Sequence, residues 1–235
     1  MKGTLYLIPV FLEDEAPAST VFPSLNLEIL NQLNHFIAEN DKMARRFLKR
    51  VGYTQALPLA QIELLNEHTK TDTIFELLQP ALEGKNMGLL SDAGCPGVAD
   101  PGALAVQMAH DLGISILPLI GPSSILLSLM ASGLNGQQFT FHGYLPIDKI
   151  QRSKTLKELS VQTIRTGHTQ LFIETPYRNS ALLEDILKTC SPDLRLCIAC
   201  NLSSKNGWIK TRSIQSWKGI KIDIHKQPCV FLLGR

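Results

Sequence analysis

The sequence lacks the glycine fingerprints of the common nucleotide-binding folds. No G-x-G-x-x-G follows the first apolar run, and Gly84-Lys85 has no glycine-rich stretch before it. That argues against a Rossmann dehydrogenase, a Rossmann-type methyltransferase and a P-loop protein alike. Charge of one sign is also scarce: the formal net charge is +2, so a nucleic-acid partner would have to be met by a local patch. No apolar stretch is long enough to span a bilayer, the longest being interrupted by Pro, Gly or Ser. The N-terminal run Met1-Lys2-Gly3-Thr4-Leu5-Tyr6-Leu7-Ile8-Pro9 carries one charge and is broken by Pro9, which fits a first strand and not a secretory leader. A cytoplasmic protein is therefore expected. The five cysteines form no disulfide framework, and the pair Cys197 and Cys200 lies in a strand pattern that points them to opposite faces. No metal site is suggested.

What is present is an ordinary globular composition, 44% hydrophobic and 19% charged over 235 residues, enough for one large or two small domains. Strands are expected near 4–9, 35–38, 87–91 and 114–119, with helices near 24–33, 41–51, 72–83 and 101–112. A further helix is expected from Ile125 to Ala131. Beyond it, strands near 138–144, 169–174, 194–200, 208–214 and 228–234 outnumber helices near 150–165 and 176–189, which points to a mixed sheet. The class is α/β, with residues 1–135 an N-terminal α/β subdomain and 136–235 a C-terminal one.

The most informative stretch is Ser91-Asp92-Ala93-Gly94-Cys95-Pro96-Gly97-Val98-Ala99-Asp100-Pro101-Gly102. It follows the apolar run Met87-Gly88-Leu89-Leu90 and leads into an amphipathic helix. Three glycines and two prolines make a stiff turn whose backbone can come close to a ligand. Asp100 reads as the helix N-cap, with Pro101 at the first helical position. A strand, a small-residue loop and a capped helix together build a ligand site at the carboxyl edge of a sheet, or simply a well-made turn.

This stretch resembles the S-D-A-G-T/M-P-G-I/V-S-D-P-G signature of the tetrapyrrole methylase superfamily, the class III S-adenosylmethionine methyltransferases. Within it, the branch that methylates a ribose 2′-hydroxyl of small-subunit ribosomal RNA is the most similar. Other segments follow in collinear order. Asn66-Glu67-His68-Thr69 loosely resembles H-E-H-N, and Ile120-Gly121-Pro122-Ser123-Ser124 with Ala131-Ser132-Gly133-Leu134 resembles P-G-P-S-A and A-S-G-L. Phe141-His142-Gly143-Tyr144-Leu145-Pro146 resembles F-x-G-F-L-P, and Glu174-Thr175-Pro176-Tyr177-Arg178 resembles E-S/T-P-H/Y-R.

The resemblance implies two α/β subdomains of the tetrapyrrole methylase type, with S-adenosyl-L-methionine in the cleft between them, in a homodimer. It places Ser91, Asp92, Ala93, Gly94, Cys95, Val98, Ser123, Ser124, Ile125 and Glu174 at the cofactor. Backbone groups of Ser91–Gly94 suit the methionine amine and carboxylate, and the helix opened by Ser123, Ser124 and Ile125 offers N–H groups to a polar end. Glu174 reads equally as a cofactor contact or as an acid at a helix start. His142 reads as a packed, hydrogen-bonded strand histidine or as a cleft residue, and Arg178 as an anion contact or a partner of a neighbouring element.

The chain departs from the branch in several places. The T-P-I-G-N-L-x-D loop becomes Ile8-Pro9-Val10-Phe11-Leu12-Glu13-Asp14, E-D-T-R becomes Glu39-Asn40-Asp41-Lys42, and R-E-L-T-K is reduced to Cys200-Asn201-Leu202-Ser203-Ser204-Lys205. The chain ends at Arg235 without the helical extension of typical members. These losses bear on the RNA substrate more than on the cofactor. Lys42, Arg45, Arg46 and Lys49 share a helix face suited to phosphates or to plain solvation, and Lys205, Lys210, Arg212 and Lys218 lie near Trp208 and Trp217. The expected function is ribose 2′-O-methylation of ribosomal RNA. The alternatives are methylation of a corrin or porphyrin precursor and a catalytically silent cofactor-binding homologue. No residue is assigned as the catalytic base.

Overall fold

The computed structural model describes residues 1–13, 21–66 and 68–235, so that Asp14 and Glu67 of the quoted motifs lie outside the described residues. The chain divides into two compact units, Met1–Ser123 and Ser124–Arg235. The division read from the sequence, 135/136, falls after the helix that opens the second unit.

The first unit is a parallel sheet in the order β3-β2-β4-β1-β5. Its strands are β1 (Thr4–Ile8), β2 (His35–Ala38), β3 (Gln61–Leu64), β4 (Met87–Leu90) and β5 (Ser115–Pro118). Helices α1 (Ser24–Leu30) and α2 (Asp41–Val51) cover one face, where Leu30, Phe47 and Leu48 pack with Ile8, Phe36 and Leu90. Helices α3 (Thr71–Leu77), α4 (Gln79–Leu82) and α5 (Gly102–Asp111) cover the other, where Ile74, Leu78, Ala105 and Ala109 pack with Leu5, Ile37 and Leu89. The central strands β1, β2 and β4 thus send residues to opposite cores, as pleated strands buried on both faces must. Gly88 sits at the centre because a Cβ there would lie 2.7 Å from Ile8 Cδ1 and 2.8 Å from Phe36 Cδ1.

The chain leaving β1 goes on to the face of α1, while the chain leaving the adjacent β4 goes on to the face of α5. Neighbouring strands whose exits part to opposite faces open a crevice at their carboxyl ends. The sequence places a ligand loop at that edge.

The second unit is a mixed sheet in the order β6-β7-β10-β8-β9. Its strands are β6 (Phe139–Tyr144), β7 (Thr169–Ile173), β8 (Arg195–Cys200), β9 (Trp208–Ser213) and β10 (Cys229–Gly234). Only β6 and β7 pair in parallel. Helix α6 (Ser124–Ser132) covers one face through Leu129, packed with Leu171, Cys197 and Val230. Helices α7 (Lys149–Thr166), α8 (Asn179–Thr189) and α9 (Ile214–Trp217) cover the other through Leu156, Leu182 and Trp217. A buried ion pair joins α7 to α8: both Arg152 Nε and Nη2 donate to Asp185 Oδ2, at 2.9 and 2.7 Å. Cys197 and Cys200 do point to opposite faces, into separate cores.

Several local expectations shift. The helix expected over 72–83 breaks at Leu78, just before Pro80, whose missing N–H interrupts the ladder. Helix α5 starts at Gly102 with Pro101 at the cap, so Asp100 is one residue further out than expected. Its carboxylate still does a cap's work, accepting from Gly102 N at 2.6 Å and from Gly97 N at 3.0 Å. Asn40, which stands where the family motif has Asp, caps α2 by accepting from Met43 N at 3.2 Å. The helix expected from 176 begins at Asn179, because Pro176–Arg178 form a turn closed by Arg178 N on Thr175 O at 2.9 Å.

Candidate functional site

The loops after β1, β4 and β5 meet at the carboxyl edge of the first sheet. Val10 N donates to Gly94 O at 2.9 Å, pinning the first loop to the β4 loop. The Cys95 thiol lies 3.4 Å from the Pro122 carbonyl, pinning the β4 loop to the β5 loop. Gly121 is packed so tightly against Pro9 that a Cβ would overlap the proline ring. Gly94 adopts φ 75°, a backbone angle that favours glycine. Burial pushes the Cys95 thiol up, and a hydrogen bond with Ser123 opposes that rise.

Carboxylates cluster at the same edge. Glu39 follows β2, and Asp92 and Asp100 belong to the loop after β4. The Glu39 carboxyl is pushed up to about 7, first by burial, then by its hydrogen bond with Asp100 and the charges of Asp100 and Asp92. The Asp92 backbone N–H, bonded to Glu39, pulls the other way. Burial and the charge of Asp100 also raise Asp92. Three acids crowded on one edge favour a bound cation, an amine or a sulfonium, and can accept from ribose hydroxyls. In the sequence Glu39 stands only as the first residue of the E-D-T-R remnant. The available signal was its place directly beyond a buried strand.

Of the expected cofactor residues, Ser91, Asp92, Ala93, Gly94 and Cys95 share this loop cluster with Ser123. Val98 lies in the same loop, half-exposed at 49%. Ser124 and Ile125 open α6 in the second unit. Glu174, at the end of β7 in the second unit, is buried, and its Oε1 accepts from Thr175 N at 2.6 Å, Arg178 Nε at 2.9 Å and Arg178 Nη2 at 2.6 Å. The partner of Arg178 is therefore Glu174 itself. His142 takes the plainer of its two readings: its Nε2 lies 2.7 Å from Gln170 Oε1 on β7. In the basic face of α2, Arg45 is engaged by Asp41 at 2.9 Å and by the Leu57 carbonyl at 2.8 Å, while Lys42 and Lys49 are exposed. Trp217 is a core residue, its Nε1 donating to Leu196 O at 2.8 Å.

No family model matches the chain. Among curated proteins, the ribosomal RNA small subunit methyltransferase I of Buchnera aphidicola subsp. Schizaphis graminum is 30% identical over 218 residues, covering 92% of this chain and 72% of the relative. The chain belongs to the ribosomal RNA small subunit methyltransferase I family. The member from Halalkalibacterium halodurans is 32% identical over 189 residues, 79% of this chain, and that from Escherichia coli O157:H7 is 28% identical over 202 residues, 86% of this chain. The chain spans 60% and 66% of the length of those two family members. Among solved structures, the methyltransferase CobJ superposes with a TM-score of 0.65 at 16% identity, covering 100% of this chain and 94% of that one. That likeness shows the fold to be of the tetrapyrrole methylase type.

Proposed function

We propose that the chain is an S-adenosyl-L-methionine-dependent methyltransferase that methylates a ribose 2′-hydroxyl of small-subunit ribosomal RNA, in the cytoplasm where that RNA resides. The observation that carries this reading is the cradle at the β1/β4 crevice. Its glycine-shaped loops and its three carboxylates suit a ligand with one amine, one sulfonium and a ribose. The names of the family members support small-subunit ribosomal RNA as the substrate, and the resemblance to the ribose-methylating branch supports the 2′-hydroxyl.

S-adenosylmethionine, when bound, supplies a methyl group already activated by its sulfonium. The chain's own residues then have mainly to hold and orient. Backbone groups of Ser91–Gly94 and the helix start at Ser123, Ser124 and Ile125 are suited to the polar methionine end. Val98 offers apolar surface, and Glu39, Asp92 and Asp100 offer negative charge. Glu174, fixed by Arg178, is positioned by its own turn and keeps its proposed place at the cofactor. A homodimer is supported by the apolar outer face of α6, where Leu126 and Met130 are 53% and 78% exposed.

The test is a mass-spectrometric map of ribose methylation in small-subunit ribosomal RNA from cells with and without the gene. A mark lost with the gene, and restored by the purified protein with S-adenosylmethionine, is the expected result. An unchanged map sinks the ribose reading. S-adenosylmethionine affinity without turnover on that RNA would mark a silent binder.

A further inference from the structure

The carboxyl edge of β6 and β7 carries two exposed tyrosines. Tyr144 ends β6 in register with Ile173 of β7 and is 57% exposed. Tyr177, in the turn that follows β7, is 69% exposed. Single exposed aromatics need no explanation, but Tyr177 stands beside a cation and a second ring. The Lys226 ammonium lies 5.8 Å from its ring centroid, and the His225 ring packs edge-on at 6.4 Å. Arg178 is next in sequence, its side chain 33% exposed while it holds the buried Glu174. Asp223, the acid in the adjoining loop, accepts from the His225 backbone N–H through Oδ1 at 3.0 Å.

This patch is held stiffly. Lys226 N donates to Pro176 O at 2.9 Å, Asn179 Nδ2 to Gln227 O at 2.6 Å, and Asn201 Nδ2 to Gln227 Oε1 at 2.6 Å. Lys226 itself adopts φ 59°, a left-handed conformation that a lysine takes only under constraint. A strained backbone that presents a cation beside an exposed ring points to a use for that cation.

We propose that Tyr144 and Tyr177 form a stacking platform for unpaired bases of the RNA substrate, with Lys226 facing its phosphates. Flat aromatic faces beside a cation match single-stranded nucleic acid, whose bases offer π-faces and whose backbone offers charge. The backbone that carries Tyr177 and Lys226 is held in place, so little loop entropy is lost there when RNA docks. It rests on the RNA reading given above and assigns that substrate a surface in the second unit.

The experiment measures binding of the full chain to labelled single-stranded poly(A), to the poly(A)·poly(U) duplex and to a small-subunit ribosomal RNA transcript, across a salt series. The parent is expected to prefer single strands to duplex. Tyr177→Ala and Tyr144→Ala should each weaken binding by about 5-fold or more, while Tyr177→Phe retains it. Lys226→Gly should lower the slope of log affinity against log salt by about 0.7 for each phosphate it no longer neutralises. Because glycine relieves the left-handed strain, that variant should also melt no lower than the parent, which separates weakened binding from impaired folding. Equal binding by parent and Tyr→Ala variants overturns the platform and leaves the RNA reading standing. A parent that binds none of the three RNAs overturns both.

Discussion

Gly121 rests directly against the Pro9 ring, so that ring alone separates the backbone of the loop after β5 from the loop after β1 at this point. A methyl group at 121 must push the β1 and β5 loops apart, because the obstacle is a rigid proline ring and not a flexible side-chain tip. Gly121→Ala is expected to destabilise the protein by about 1–3 kcal/mol and to weaken S-adenosylmethionine binding at least tenfold. Calorimetric titration and a thermal melt check both. Unchanged affinity would separate this cradle from the cofactor.

Glu39 makes a pH prediction. Its carboxyl titrates near 7, held up by burial and by Asp100 and Asp92. A cationic ligand at that edge prefers the ionised form, so affinity for S-adenosylmethionine should rise as pH increases through about 7 and then level off. Glu39→Gln should bind more weakly and lose the pH dependence. Isothermal titration across that range decides the matter, and an identical profile in the variant would remove Glu39 from the site.

The same group affects stability in the opposite sense. Its folded value lies above the ordinary 4.5, so the folded state holds the proton more tightly than the unfolded chain does. Glu39's contribution is therefore present at low pH and is lost as pH rises from about 4.5 through about 7. Glu39→Gln should stand out as the more stable protein above neutrality and lose that advantage in acid. Urea melts at a pH on either side measure the crossover.

Arg152 and Asp185 are 7% and 4% exposed and bonded twice. Arg152→Ala leaves the buried Asp185 carboxylate without its cation and is expected to cost about 3–5 kcal/mol, and Asp185→Ala should cost less, because Arg152 keeps the Pro146 and Ile147 carbonyls at 3.3 and 2.7 Å. Replacing both with apolar residues, Arg152→Met with Asp185→Leu, should recover most of that loss. Denaturant unfolding of the three variants tests whether the penalty belongs to the orphaned charge or to poorer packing.

Features written in short, contiguous stretches were legible from sequence. The Ser91–Gly102 loop, the strand β4 before it and the helix after it follow from glycine, proline and apolar spacing within a few residues. The mixed character of the second sheet was equally visible in its crowded strands. β3 escaped because it is a four-residue edge strand, Gln61-Ile62-Glu63-Leu64, whose polar–apolar alternation is too short to stand out. Glu39 escaped for a different reason. Its shifted titration arises only when β2 lies beside β4 and brings Asp92 and Asp100 close, a pairing that no local pattern contains. Tyr177 and Lys226 are likewise remote in sequence and meet only in the fold. The Glu174–Arg178 pair was within reach, since its four-residue spacing is the common one for an ion pair along a turn of helix.

The position of β1 has a consequence for how the protein is made. Both of its neighbours are late: Leu5 pairs with Met87 on one side and Ile116 on the other. During synthesis this apolar strand leaves the ribosome with nothing to zip onto, and waits through most of the first unit before its edges are covered. Such remote pairing slows folding and leaves a sticky template open to neighbouring nascent chains. The first unit should therefore depend on chaperones in a way that the second, with its adjacent β8 and β9 paired antiparallel, does not.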